Sequence, residues 1–224
     1  MSIIIYKNSD FAVINKPIGV SSQADNTGGD DAMKLCAAEL SAEGERGELH
    51  IINRLDKVVG GLVLLARSSA SAATLTSLLE DGITKEYRTV VEGIPGAGVM
   101  KDLLYKDSAL GRAFVASAPR KGAKEAVLEF ETLESVVHKG RTLSLVKVVL
   151  KTGRFHQIRV QFSSRKMPLV GDKKYGSRDF GARTPSLFAC RLSFAYKRES
   201  YDFFASPDTE SYPWSLFDED NFKE

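Results

Sequence analysis

The sequence predicts an α+β fold around an antiparallel or mixed sheet. The 224 residues, 43% hydrophobic and 27% charged, suit one ordinary globular domain with a buried core. Strand-like apolar runs outnumber helical ones, and no strand–helix unit repeats along the chain, which disfavours a doubly wound parallel sheet.

Two apolar runs, Ile3–Tyr6 and Phe11–Ile14, flank Asn8-Ser9-Asp10 and read as an opening hairpin. Lys16-Pro17-Ile18-Gly19 ends the second strand, because proline cannot donate to a ladder and glycine permits a turn. A helix is expected near Asp31–Leu40, where Met33, Leu35, Cys36 and Leu40 recur at roughly helical spacing. Leu62–Ala66 is a continuous apolar strand, and Ser69–Leu79 a helix with Leu75, Leu78 and Leu79 on one face. Further strands are expected at Glu86–Glu92, Ala126–Val137, Thr142–Leu150 and Leu187–Ala195. Gly93-Ile94-Pro95-Gly96-Ala97-Gly98 has the wrong glycine spacing for a dinucleotide loop and reads as a turn. Thr152–Ser163 starts with a Thr-Gly turn and then suits either helix or strand. Tyr212, Pro213, Trp214, Leu216 and Phe217 are expected to pack back on the domain, taken as residues 1–217, while the acidic residues 218–224 fray.

Charge is unevenly distributed. Residues 1–138 carry 15 Lys/Arg against 19 Asp/Glu, residues 139–198 carry 15 against 2, and residues 199–224 carry 1 against 8. The middle block is the kind of basic surface that binds phosphate backbones, or else a solvated face balanced by the acidic tail. Ile3, Ile4 and Ile5 form too short an apolar run for a signal peptide, and no later run approaches a membrane span, so a soluble, cytoplasmic protein is expected. Cys36 and Cys190 lack Cys-x-x-Cys spacing and read as buried thiols. No Walker loop, nucleophile elbow or His-Glu-x-x-His occurs, so no metal and no cofactor is expected. Of three histidines, His156 lies between Arg154 and Arg159 and reads as structural or nucleic-acid-facing rather than as a proton shuttle.

The most informative stretch is Ile52-Asn53-Arg54-Leu55-Asp56-Lys57-Val58-Val59-Gly60-Gly61-Leu62, which places one carboxylate among cations just before a core strand. Taken alone, such an aspartate is a surface ion pair or a functional group. The stretch resembles the signature of the RluA-type family of RNA pseudouridine synthases, with its catalytic aspartate in Arg-Leu-Asp-x-x-x-x-Gly-Leu. Asn15-Lys16-Pro17-Ile18-Gly19 is similar to the family's Lys-Pro-x-Gly turn, and Lys85-Glu86-Tyr87 to its Lys-x-Tyr strand. Thr152-Gly153-Arg154-Phe155-His156-Gln157-Ile158-Arg159 and Gly171-Asp172-Lys173-Lys174-Tyr175-Gly176 are similar to two further motifs, in the family's order.

The resemblance implies a single catalytic domain of flanked sheet with a central cleft, and no room before Lys16 for the S4-like domain that many relatives carry. It implies isomerisation of uridine to pseudouridine in structured RNA, most often ribosomal and next transfer RNA, without a cofactor or an obligate protein partner. Asp56 is implied as nucleophile or electrostatic stabiliser, Arg159 as the arginine paired with it, and Tyr87 as the active-site tyrosine that stacks on uracil or helps remove its C5 proton. Arg54 is a candidate to fill the space left by a flipped base, or a salt bridge holding the loop. Arg154, His156, Lys173, Lys174 and Arg178 are the expected RNA contacts. The chain departs from the family pattern at Asn53, commonly histidine, at Val59-Gly60, commonly Thr-Ser, and at Gln161, often histidine. Losing the Thr-Ser hydroxyls predicts a less braced catalytic loop. Two other functions compete: a catalytically silent RNA-binding protein on the same scaffold, and a glycosidic-bond hydrolase using Asp56 and Asp172 as a carboxylate pair.

Overall fold

The computed structural model describes residues 2–24, 29–179 and 181–223. In chain order the elements are β1 (Ile4–Lys7), β2 (Phe11–Lys16), α1 (Ala32–Ala42), β3 (His50–Ile51), β4 (Gly60–Ala66), α2 (Ser69–Ser77), β5 (Ile83–Glu92) and β6 (Ala97–Asp107). There follow β7 (Arg112–Val115), β8 (Lys124–His138), β9 (Arg141–Leu150), α3 (Gln157–Ser164), β10 (Leu187–Tyr196) and β11 (Glu199–Phe204), with short 3-10 turns near the end. The α+β class and the mostly antiparallel strand pairing are as expected, and the chain forms two compact units.

The first unit comprises Met1–Thr84 and Ala189–Ala205. Here β2 pairs antiparallel with β1 on one side and β4 on the other, with Lys16 opposite Gly61. The β10 strand neighbours β4 and pairs with β11. All seven residues of β4 are buried. Successive strand residues point to opposite faces, so burial on both sides is what makes its sequence a continuous apolar run. Phe11, Val13, Leu62 and Leu64 share one core with Leu75 of α2 and with Leu192 and Phe194 of β10. The first helix starts where Asp31 caps it, its side chain accepting from the Lys34 N–H at 3.0 Å. Cys36 and Cys190 are both buried free thiols, and burial pushes the Cys36 thiol up to about 11.

The second unit comprises Lys85–Phe188 and Ser206–Glu224. Its strands lie in the order β5-β9-β8-β6-β7, each neighbouring pair antiparallel. The ambiguous Thr152–Ser163 segment is a turn followed by helix α3. The Gln157 side chain decides it: its Oε1 accepts from Thr152 Oγ1 at 2.9 Å and from the Arg154 N–H at 3.0 Å, and its Nε2 donates to the Val127 carbonyl at 3.1 Å. The β6–β7 hairpin is absent from the sequence expectation, because Lys101, Asp102, Lys106 and Asp107 interrupt the apolar pattern on both faces of β6.

The expected fraying of residues 218–224 needs correction up to Lys223. Glu219–Phe222 form a 3-10 turn, and Phe222 is buried with its ring edge-on to Trp214. Ser206 Oγ donates to the Phe222 carbonyl at 2.6 Å, and Asn221 Nδ2 to Glu134 at 2.9 Å. One phenylalanine among the acids anchors the segment. No helix among the described residues is long and apolar enough to cross a membrane.

Candidate active site

Asp56 belongs to the first unit, at partial burial on the loop between β3 and β4. The loop is braced from both sides. Ser22 Oγ accepts from the Leu55 N–H at 2.9 Å and donates to the Leu55 carbonyl at 2.7 Å, so one hydroxyl satisfies both backbone groups of the residue before Asp56. Asn53 Oδ1 accepts from the Leu64 N–H at 2.7 Å, and its Nδ2 donates to the Leu62 carbonyl at 3.3 Å. The Gly19 N–H donates to the Lys57 carbonyl at 2.8 Å, and the Val59 N–H to the Asp56 carbonyl at 3.0 Å. At the loop's exit a Cβ on Gly61 would lie 2.3 Å from the Ala189 carbonyl oxygen, and the backbone there has φ +117°, so only glycine fits. Ser22 and Asn53 thus brace the loop by side-chain bonds, despite the missing Thr-Ser hydroxyls.

Ser22→Ala leaves two buried backbone groups of Leu55 unpaired, at a cost of about 1–3 kcal/mol each. We expect kcat to fall about tenfold or more with KM little changed, and Ser22→Thr to restore much of it. A loss confined to thermal stability, with kcat intact, contradicts a positioning role for Ser22.

Lys16, missed as a site residue, is fully buried in the same unit and donates to the Pro17 carbonyl at 2.9 Å and the Val20 carbonyl at 2.7 Å. Burial lowers its pKa to about 8, while the negative charge of Asp56 pulls it back up. The Lys-Pro-x-Gly turn therefore brings an ammonium into the field of the Asp56 carboxylate. Between pH 8 and the ordinary lysine value of 10.5 the unfolded chain holds a proton that the folded one has released. Stability relative to a Lys16→Met variant should accordingly rise with pH across that window. Denaturant unfolding at several pH values checks this, and parallel curves for the two proteins contradict it.

Tyr87, Arg154, His156, Arg159, Lys173, Lys174 and Arg178 all belong to the second unit. Tyr87 is buried on β5 opposite Val148. Arg159, 4% exposed on α3, forks onto Asp172, Nε to Oδ2 at 2.7 Å and Nη2 to Oδ1 at 2.9 Å. Asp172 is 1% exposed, and its backbone carbonyl accepts from the Tyr175 and Ser177 N–H groups, which shapes the Gly-Asp-x-x-Tyr-Gly turn. A carboxylate held this way inside a guanidinium fork is an anchor. That removes Asp172 from the role of water-activating partner in the hydrolase reading.

The guanidinium of Arg159 lies 5.1 Å from the centroid of the buried Tyr175 ring, and that of Arg112 lies at the same distance. The Tyr175 hydroxyl accepts from the Ala113 N–H at 2.7 Å and meets His156 Nδ1 at 2.9 Å. His156 itself caps α3 in a left-handed conformation, φ 54°. This arrangement fits its expected structural use.

Arg154, Lys173, Lys174 and Arg178 are exposed, Lys174 Nζ donating to the Gly111 carbonyl at 3.0 Å and Arg154 Nε to the Glu125 carbonyl at 2.8 Å. Arg54 is exposed. The basic block of residues 139–198 is less open than its charge suggests. Lys147, Lys151, Arg159, Arg165, Arg191 and Lys197 each face a carboxylate within 4.0 Å. Gln161, at the position often histidine, is fully buried with Nε2 donating to Asp102 at 2.6 Å.

A family model described as RNA pseudouridylate synthase matches residues 10–164. The chain is 30% identical over 179 residues to ribosomal large subunit pseudouridine synthase D of Zymomonas mobilis, covering 77% of this chain and 55% of that protein. It is 33% identical over 181 residues to an uncharacterized RNA pseudouridine synthase of Aquifex aeolicus, covering 77% and 55%. The chain thus spans about half the length of the curated relatives it matches. Among solved structures, human RNA pseudouridylate synthase domain containing 1 superposes with a TM-score of 0.75 at 23% identity, over 92% of this chain and 83% of that one. The human domain containing 4 protein superposes at 0.73 and 21%, over 92% and 88%. At these identities the superpositions speak for the fold.

Proposed function

Because the chain belongs to the RNA pseudouridylate synthase family, we propose that it converts uridine to pseudouridine in RNA, with Asp56 as the reacting carboxylate. The observation that supports this best is the loop around Asp56, held by Ser22 and Asn53 and within the electrostatic reach of the buried Lys16 ammonium. A carboxylate so placed is suited to attack the ribose carbon or to stabilise positive charge on it while the N-glycosidic bond breaks. The uracil then turns and its C5 bonds to the ribose carbon, releasing the Asp56 carboxylate where it had bonded there; C5 loses its proton and N1 takes one up, so the product is an isomer of the substrate. In this reading Arg159 orients Asp56, Tyr87 stacks on the uracil or assists removal of the C5 proton, and Arg54 fills the space of the flipped base.

We further propose ribosomal RNA as the target, in line with the name of the relative from Zymomonas mobilis, with transfer RNA the next choice. The protein would then work in the cytoplasm, with Lys173, Lys174 and Arg178 among its phosphate contacts. Mapping pseudouridine in total RNA from a strain lacking the gene tests both statements. The expected result is one or a few missing pseudouridines in ribosomal RNA. Missing sites confined to transfer RNA reassign the target, and an unchanged map removes the cellular activity.

A further inference from the structure

Phe155 occupies the variable position of the Thr-Gly-Arg-x-His-Gln-Ile-Arg motif, and it is the one aromatic residue among the exposed large hydrophobic side chains of the described residues, at 38% exposure. Its ring is held in place. It stacks on His156 with centroids 3.8 Å apart and planes 20° from parallel. His156 is fixed in turn by the Tyr175 hydroxyl, and Tyr175 by the Ala113 N–H of β7. One cation sits over it: Lys106 Nζ lies 4.5 Å from the Phe155 centroid, and Arg154, its neighbour in sequence, is exposed. Arg112, over the Tyr175 ring, has a buried Nε with no hydrogen-bond partner among the described residues. Scattered exposed apolar residues are ordinary on protein surfaces. A preordered, partly exposed aromatic ring with a flexible lysine over it is instead a composition that can bind an unpaired nucleotide, the base stacking on the ring as the lysine swings out to a phosphate.

We propose that Phe155 is a stacking platform for an unpaired base of the RNA, with Lys106 on the β6–β7 hairpin contacting an adjacent phosphate. This rests on the reading that the protein acts on RNA, and it adds a contact outside the residues assigned to the reaction. The rigid support matters because a ring already ordered loses little conformational freedom on binding.

The test uses a single-stranded oligocytidylate of about 12 nucleotides, which holds no uridine, and an abasic strand of equal length and charge. Wild-type protein should bind the base-bearing strand more tightly than the abasic one. Phe155→Ala should reduce that preference about tenfold, since stacking contributes about 1–3 kcal/mol per base, while Phe155→Trp should keep it and show fluorescence quenching on binding. Lys106→Gln should weaken both strands alike and lower the log–log salt slope by about 0.7. If Phe155→Ala and wild type bind the oligocytidylate equally, the platform is overturned while the synthase reading stands on its own assay. Wild-type protein that binds neither strand at low salt overturns the platform as well, and the synthase reading is again decided by pseudouridine formation alone.

Discussion

Replacing Asp56 by Asn should abolish pseudouridine formation, lowering turnover by about 10⁴-fold, the scale seen when a reacting side chain is lost. Asn keeps the size of the side chain, and the bracing bonds named above run through its neighbours and its backbone: Ser22 holds Leu55, Asn53 holds Leu62 and Leu64, and Val59 donates to the backbone carbonyl of residue 56. Stability and RNA affinity should therefore change little, which separates loss of chemistry from loss of structure. Near wild-type turnover in the Asn variant would show that the reacting group is elsewhere.

Arg159→Ala should be the other severe change, for two reasons that a second variant separates. It strands the 1%-exposed Asp172 carboxylate, and removing one partner of a buried ion pair costs about 3–5 kcal/mol. It also removes the guanidinium proposed to orient Asp56. In the pair Arg159→Met with Asp172→Leu neither member of this buried ion pair is left alone, so much of the stability should return. Activity should stay lost in that pair. Arg159→Lys keeps a charge without the fork and should be impaired as well. Recovery of activity along with stability in the paired variant would make Arg159 a structural anchor only, and Arg154 would be the arginine to examine next.

Much of this was legible in the sequence because the relevant residues are neighbours in it. The Arg-Leu-Asp stretch, the two glycines after it and the apolar β4 run are contiguous, and Gly61 has the backbone conformation and the close Ala189 contact that glycine alone tolerates. What remained hidden depends on side chains meeting partners far along the chain. Ser22 and Leu55 are 33 positions apart, and Arg159 and Asp172 are 13 apart, so neither pairing leaves a periodic trace. The β6–β7 hairpin escaped because charged residues fall on both of its faces, and with it went Lys106 and Arg112. The acidic tail misled by composition: charge argued for fraying, whereas the burial of Phe222 decides its packing. The basic block misled in the opposite sense, since several of its cations are neutralised by carboxylates.

The most direct measurement is the fate of uracil when purified protein is incubated with total RNA from a strain lacking the gene. After complete digestion, pseudouridine and free uracil are quantified together, for the wild type and for Asp56→Asn. The account predicts pseudouridine above background with wild type, none with the Asn variant, and no free uracil with either. Release of free uracil by the wild type would instead mark a hydrolase, and RNA bound with every uridine unchanged would mark a binding protein; either result contradicts the assignment.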